Sequence, residues 1–193
     1  MEIKRFKNLS VVGEFIFDLV KLVAIAYAVV WLLHHFVFQP FMVNGPSMEP
    51  NFYDKDYLIV EEVSQHFNHF NRGEVIIFHP PYNPKDCLIK RIVALPDERI
   101  TIDSGKIRIF NNYYPQGIEL DESIYLPAGL TTTSKIDIQL AADEYYVLGD
   151  NRNVSLDSRI FGPIKEKSII GRPLFRGWPL REFGFIKIPN FAY

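Results

Sequence analysis

The pattern of apolar and polar residues divides the chain into two unequal parts. Near the N-terminus, residues 22–33 read LVAIAYAVVWLL without a charge, and residues 19–38 form a run as long as a helix needs to cross a bilayer. Beyond Pro40, short apolar runs alternate with turn-forming residues, and no long helical period interrupts them. The pattern therefore predicts a transmembrane helix followed by a mainly β domain.

The second part is predicted to form a series of short strands. Their sequences are YLIVEEV, GEVIIFH, CLIKRIVAL, RITID, KIRIF, YYVLGD and SIIGRPLF. Asp103-Ser104-Gly105 separates two of them and predicts a hairpin turn, because glycine readily adopts a positive φ. Many short strands with such turns favour one compact antiparallel β domain of barrel-like or sandwich-like character. Residues 113–143, rich in Thr, Pro and Gly, are predicted to be an insertion at its rim.

The N-terminal apolar segment has three interpretations. A cleavable secretory signal begins in a similar way, but the residues after the run, HHFVFQPF, are too bulky for its cleavage site. A buried core helix is another alternative. We predict an uncleaved anchor at residues 19–38 in the cell membrane, with the lipid bilayer as a partner. Because Lys4, Arg5 and Lys7 precede it, residues 1–18 are expected in the cytoplasm and residues 39–193 outside.

Composition limits the possible partners and cofactors. The chain has 193 residues and a formal net charge of −2, which gives no electrostatic preference for nucleic acid. The single cysteine, Cys87, excludes an intrachain disulfide. No HExxH pattern occurs, and the His and Cys residues do not have the spacing of metal ligands. We therefore predict no nucleic-acid partner, no metal and no other cofactor.

Two residues stand out as candidates for chemistry. Ser47 lies in a glycine-proline turn, NGPSMEP, and Lys90 interrupts an apolar strand in which Leu88 and Ile92 share its face. A lysine surrounded by apolar side chains loses solvation of its charged form, so its pKa falls below the ordinary value of about 10.4. The neutral amine can then accept a proton from a serine nucleophile. The alternative is a lysine that reaches water at the sheet rim, beside a serine without a chemical role.

Other catalytic arrangements fit less well. The nucleophile-elbow pattern G-x-S-x-G is not met, because Glu49 occupies its last position. Four of the five histidines lie in the predicted membrane segment or in a polar loop, which leaves His79 as a weak candidate base beside a proline run. Acidic pairs such as Asp121 with Glu122 are more typical of solvated surface than of acid/base catalysis.

A dense polar segment, GDNRNVSLDSRIFGP, directly follows an apolar strand at residues 149–163. Its Asp-Asn-Arg turn can satisfy its own backbone through side-chain hydrogen bonds. Ser155 is placed to donate to a neutral lysine amine and so to fix its direction. Ion pairs that would make the loop rigid are expected for Asp150 with Arg91 or Arg152, and for Asp157 with Arg159. Without a link to Lys90, the same residues would form only a loop-stabilising network.

Taken together, these motifs resemble those of type I signal peptidases, serine-lysine proteases that remove signal peptides from exported proteins. In the order of that family, the similar segments are FQPFMVNGPSMEP, RGEVIIFHPP, LIKRIVALPDERI, GDNRNVSLDSRIFGPI and IIGRPLFRGWPL. The resemblance implies that Ser47 is the nucleophile and Lys90 the general base. It also implies that Ser155 orients the lysine, whereas Asp157 and Arg159 are a structural polar pair.

The resemblance further implies an extended substrate with small residues at the first and third positions before the cut. The substrate would add as a strand beside residues 40–45 and 87–89. The expected substrate contacts are Pro40, Val43, Gly45, Met48, Cys87, Leu88 and Ile89, with shallow pockets that accept Ala. The implied partners are preproteins with N-terminal signal peptides, close to the protein-export machinery.

Several positions depart from the family pattern, among them Asn51, Gly45, Ala94 and Asp97, which stands where the family usually has glycine after Leu-Pro. Asn51 stands where the family often has threonine, and Gly45 stands where some members have a serine that helps to bind the oxyanion. Two other functions stay open. A self-cleaving serine-lysine repressor relative shares the catalytic logic but is expected to carry a DNA-binding module instead of a membrane segment. A non-catalytic, membrane-anchored β-module is the other alternative, in which Ser47 and Lys90 merely pack.

Overall fold

The computed structural model describes residues 2–36, 38–62, 69–189 and 191, with side chains described for residues 13–31, 39–62, 69–189 and 191. Contacts between residues divide the chain into two compact units, Met1–Gln39 and Pro40–Tyr193.

The first unit consists mainly of one long helix, α1 (Glu2–Phe36). Side chains 13–31 are all exposed, including the large apolar groups of Phe15, Leu22 and Trp31. Among the described residues, the structure has no helix that is both long enough and apolar enough to cross a membrane. The predicted anchor is therefore not found there, and its residues 32–38 lie outside the described side chains, as do the basic residues near the N-terminus.

The second unit is mainly β, as predicted. The strands are β1 (Phe38–Met42, which begins before this unit), β2 (Tyr57–Glu61), β3 (Val75–Phe78), β4 (Leu88–Ala94), β5 (Arg99–Asp103), β6 (Lys106–Phe110), β7 (Ile118–Glu119), β8 (Ile136–Gln139), β9 (Glu144–Leu148), β10 (Ile164–Lys165), β11 (Ile169–Trp178) and β12 (Gly184–Phe185). The described residues also form a short helix, α2 (Ser158–Phe161), and two 3-10 turns, Glu166–Ser168 and Leu180–Glu182.

The strands form two sheets. The larger has the order β1-β2-β11-β3-β4-β9-β10, with β12 paired to β11, and the smaller has the order β7-β6-β5-β8. Strands β3, β4 and β9 are largely buried on both faces, whereas β5 and β6 alternate between buried and less buried positions. Pairing of β4 with β3 and β9 is antiparallel on both sides. The antiparallel character predicted from the sequence is confirmed.

The predicted hairpin turn connects β5 and β6. Asp103 pairs with Lys106, so Ser104 and Gly105 form a two-residue loop with φ values of 51° and 81°. The insertion at residues 113–143 contributes β7 on one side of this hairpin and β8 on the other. The insertion is therefore part of the smaller sheet.

Strand β4 lies where three apolar clusters meet. Ile89 packs in the cluster that contains Val43 and Met48. Ile92 packs in a second cluster, around β3 and β9, and Val93 packs in a third, around β5 and β6. Lys90 thus belongs to a strand that packs in the core through Ile89, Ile92 and Val93.

Candidate functional site

The first component of the site is the turn that carries the predicted nucleophile, Ser47; it comprises residues 45–52 and is called the nucleophile turn. Gly45 has a φ of 86°, a conformation that glycine adopts without strain, and its N–H donates to the Asp54 carboxylate at 2.7 Å. Met48 is fully buried and anchors the turn in the core. Ser47 lies between these two fixed points and is partly exposed.

The second component is Lys90, whose side chain reaches the turn from β4. It is only 2% exposed. Its Nζ lies 2.8 Å from Ser47 Oγ and 2.8 Å from the backbone oxygen of Ile89. The structure thus brings together the two residues selected from the sequence, although 43 positions separate them.

Burial has a direct effect on the lysine. Loss of solvation lowers the pKa of Lys90 to about 8, against the opposing influence of the negative charges of Asp157 and Asp150. A substantial fraction of the amine is therefore neutral at mildly alkaline pH, and the neutral form is the one that can accept a proton.

The polar loop, residues 149–157, forms the third component. Asp150 is fully buried and makes a bidentate ion pair with Arg91, with N–O distances of 2.8 and 2.6 Å. Arg91 also donates to the Gly73 oxygen at 2.7 Å. Of the two partners predicted for Asp150, Arg91 is the one observed. The backbone N–H of Asn151 donates to the backbone oxygen of Ser47 at 3.1 Å, which connects the polar loop to the nucleophile turn.

Asp157 and Arg159 form the second predicted ion pair. Burial disfavours the charged form of Asp157, but hydrogen bonds from Arg159 and from the Gly149 N–H outweigh it and lower the pKa of this carboxyl. Asp157 also caps α2 by accepting from the Arg159 N–H. The carboxylate therefore fixes both ends of the segment that contains Ser155.

Ser155 lies against the backbone of Gly149. A Cβ on Gly149 would be 2.1 Å from Ser155 Oγ and 2.6 Å from the backbone oxygen of Ser47, so only glycine lets these two residues approach position 149 so closely. The Ser155 hydroxyl is buried and has no hydrogen-bond partner among the described residues. A hydrogen bond from Ser155 to Lys90 is therefore not formed here, and the orienting role remains a prediction.

Two contributors, Asn51 and Glu122, were missed from the sequence. Asn51 donates through Nδ2 to Asp150 at 2.8 Å and to the Tyr125 oxygen at 2.7 Å. Glu122, interpreted as typical of solvated surface, instead forms a bidentate ion pair with the buried Arg152. The only available signal was the unusual asparagine at position 51, because the contacts from the insertion depend on non-local packing.

The comparisons with known proteins identify the family. A family model described as signal peptidase, peptidase S26, matches residues 16–178. The chain belongs to this family. It is 32% identical to a probable signal peptidase I-1 from Synechocystis sp., over 89% of this chain and 87% of that protein. It is 33% identical to signal peptidase I from Leptolyngbya laminosa, over 88% and 83% of the two chains.

A crystal structure of a signal peptidase I from Enterococcus faecalis V583 is 26% identical and has a TM-score of 0.45, covering 54% of this chain and 97% of that one. The predicted family is confirmed by the sequence matches. With it, the predicted class of activity, a serine endopeptidase that cleaves signal peptides from preproteins, is confirmed.

The residues expected to contact a signal peptide differ in their exposure. Val43, Met48 and Ile89 are buried together in one apolar cluster. Leu88 and Gly45 are partly buried, whereas Pro40 and Cys87 are exposed. Their roles in binding a substrate remain predictions.

The described contacts of His79, the weak candidate base, are with Asp86 and Cys87 and not with Ser47 or Lys90. His79 Nδ1 is 2.9 Å from the Asp86 oxygen and 3.8 Å from Cys87 Sγ. His66, and the side chains of His34 and His35, lie outside the described residues. No group of three or more His, Cys, Asp or Glu side chains that could bind a metal occurs in the described part of the chain.

Proposed function

We propose that Ser47 and Lys90 are the catalytic dyad with which this peptidase cleaves signal peptides from exported preproteins after small residues. One observation carries the proposal: a lysine amine that is almost fully buried lies within hydrogen-bond distance of a serine hydroxyl in a fixed turn. Burial supplies the neutral base, and the turn supplies the nucleophile.

The proposed reaction is an acyl transfer. Neutral Lys90 takes the proton of Ser47, whose oxygen attacks the scissile carbonyl, and the backbone N–H of Ser47 donates to the tetrahedral oxyanion. The lysine then gives its proton to the leaving amine. A water molecule, activated by the same amine, hydrolyses the acyl-enzyme and restores both side chains.

The polar loop would support this chemistry in two ways. The Lys90 amine has two hydrogen-bond partners, and an amine has capacity for a third, which we assign to the buried Ser155 hydroxyl. The ion pairs Asp150–Arg91 and Asp157–Arg159 would fix the loop as structural partners of the dyad. Both carboxylates also moderate the effect of burial on the lysine pKa.

For the substrate we propose strand addition beside residues 40–45 and 87–89. The exposed Pro40 and Cys87 and the partly exposed Gly45 and Leu88 would contact the peptide, over a floor formed by Val43, Met48 and Ile89. A tightly packed floor leaves little depth for side chains, which favours Ala or Gly next to the cleavage site.

We further propose that the protein is attached to the cell membrane through residues 19–38. The apolar side chains of α1 are exposed along the described region and would be covered by lipid. The basic residues at positions 4, 5 and 7 would keep the N-terminus in the cytoplasm, so that Pro40–Tyr193 lies outside, close to the export machinery and emerging preproteins.

The dyad is tested by the variants Ser47→Ala and Lys90→Ala in the detergent-solubilised full chain. Each is expected to reduce cleavage of a signal-bearing preprotein by at least about a thousandfold, because each removes a group that acts in the transition state. Lys85→Ala, which removes an exposed lysine just before β4, is the matched control and should cut normally. Circular dichroism checks that all variants fold.

The same assay distinguishes the alternatives. A folded Lys90→Ala protein that cuts at the normal rate would show that the base is another group. Normal cutting by both dyad variants would favour a β-module in which these residues only pack. Cleavage of the protein's own chain, without cleavage of added preprotein, would favour the self-cleaving alternative.

A further inference from the structure

The rim insertion, residues 113–143, makes a buried polar contact with the polar loop. Arg152 lies in that loop, and its side chain is 1% exposed. Its Nε donates to the Gly149 oxygen at 3.0 Å, so one edge of the guanidinium binds the backbone of its own loop. The other edge is turned toward the insertion.

Glu122 provides the main contact on that side. Its two carboxylate oxygens accept from Arg152 Nη1 and Nη2 at 2.7 and 2.5 Å. Thr132 accepts a further hydrogen bond from the same guanidinium. A bidentate carboxylate fixes a guanidinium in both position and plane, which a single hydrogen bond does not.

Tyr125 connects the same carboxylate to the other side of the polar loop. Its hydroxyl donates to Glu122 at 2.5 Å, and its ring lies under the Arg91 guanidinium, 4.4 Å from the ring centre. Arg91 in turn binds Asp150. The insertion therefore contacts both arginines that bind to the backbone or carboxylate of residues 149–150.

The contacts that begin in the insertion lead through the polar loop to Ser47, the proposed nucleophile. Asn151 lies between Asp150 and Arg152, and its backbone N–H donates to the backbone oxygen of Ser47. A shift of the loop would thus move the hydrogen-bond partner of Ser47 and the negative charges that face Lys90. Misplacement of about 1 Å is enough to slow an enzymatic reaction by about a hundredfold.

We propose that Glu122 is a positioning residue for the reaction: through Arg152 it fixes the polar loop that contacts the nucleophile turn. The inference rests on the proposed Ser47–Lys90 dyad. It gives the insertion a part in catalysis without contact with the substrate. The competing view is that Glu122 only attaches the insertion to the domain.

The test uses the full chain in detergent and a signal-bearing preprotein, with kcat and KM measured well below the melting temperature of every variant. Glu122→Gln keeps the shape but removes the charge, and is expected to reduce kcat by at least about tenfold with KM within about twofold. Tyr125→Phe keeps the ring over Arg91 and loses only the hydroxyl, so a smaller fall in kcat is expected.

Two controls separate positioning from stability. Asp121→Asn removes the neighbouring exposed carboxylate, whose contacts are with Ser123, and should leave kcat within about twofold. Leu120→Ala removes a buried apolar side chain within the insertion and lowers the melting temperature without touching Arg152. Its kcat should remain near normal where it is folded.

The proposal is overturned if Glu122→Gln keeps a normal kcat, or if only its KM changes. It is also overturned if Leu120→Ala, at an equal loss of melting temperature, loses as much kcat. If Glu122→Gln does not fold, a normal kcat for Tyr125→Phe overturns the proposal instead. The dyad is judged separately: loss of activity in Ser47→Ala and Lys90→Ala with a normal Glu122→Gln contradicts the positioning role alone.

Discussion

Lys90 is the residue whose environment matters most, because its position in the core determines its protonation. The side chain is almost fully buried, and its amine has two polar neighbours at 2.8 Å. Burial is the larger influence on its pKa, and Asp157 and Asp150 only moderate it. The two carboxylates therefore keep the lysine from becoming neutral at still lower pH.

The pH profile of cleavage follows from this balance. We expect kcat/KM for a preprotein to rise with pH along a single limb with a midpoint near the Lys90 pKa of about 8, since only the neutral amine can act as the base. Rates measured between pH 6 and 10 test this expectation. A flat profile across the range, with chemistry as the slow step, would contradict Lys90 as the base.

The lowered pKa of Lys90 favours catalysis but reduces the stability of the folded state at neutral pH. The pKa of Lys90 is below that of a lysine in the unfolded chain, so the folded state binds fewer protons between about pH 8 and the ordinary value of 10.5. The unfavourable contribution of the buried lysine is fully present below pH 8 and disappears as the pH rises above 10.5. The residue proposed as the base is therefore destabilising at neutral pH.

At the scale of elements, the predictions succeeded where the pattern is local. β5 and β6 begin and end where the RITID and KIRIF runs do, because clean alternation and a turn at Ser104-Gly105 determine them. β7 and β8 were not predicted, since these short strands form only by pairing with the hairpin. Glu122 was misjudged for the same reason: its partner Arg152 is 30 positions away.

The turn after β9 offers a sharp test of packing between elements. Gly149→Ala would place a Cβ within 2.6 Å of both the Ser155 side chain and the backbone oxygen of Ser47, so the polar loop would have to move. We expect the variant to lose at least about tenfold in kcat, even where it remains folded. The measurement is cleavage of a preprotein, with thermal unfolding in parallel.

Gly177→Ala in β11 is the matched control for that substitution. Its Cβ would meet no atom closer than 3.8 Å, and Gly177 does not have a positive φ. It should therefore fold and cut normally. Normal kcat in Gly149→Ala as well would show that the close approach of Ser155 to Gly149 is not required.

At the scale of the whole molecule, the two units make different contributions to the proposed function. The chemistry lies in Pro40–Tyr193, and the exposed apolar side chains of α1 lie in Met1–Gln39. The family was predictable because its motifs are short and occur in order along the chain. Membrane attachment rests on the apolar segment at residues 19–38, for which the structure shows no spanning helix among the described residues.

Attachment is tested by flotation with phospholipid vesicles. The full chain, reconstituted from detergent, is expected to float with the vesicles and to resist extraction by high salt and alkaline carbonate, since apolar burial is not screened by ions. The segment Pro40–Tyr193 is the control and should be extracted more easily. Equal extraction of both proteins would mean that residues 19–38 do not anchor the chain.

The hydrogen bond from Asn51 to Asp150 has a consequence for the timing of activity. Its partners are 99 positions apart, and those of the bond from Asn51 to Tyr125 are 74 apart. Closing such long loops is entropically costly and contributes to slow folding. The polar loop also follows both Ser47 and Lys90 along the chain, so a molecule synthesised only as far as Lys90 contains the proposed dyad without the loop that contacts it. We expect hydrolytic activity only after the polar loop has been synthesised and has folded against the turn that carries Ser47.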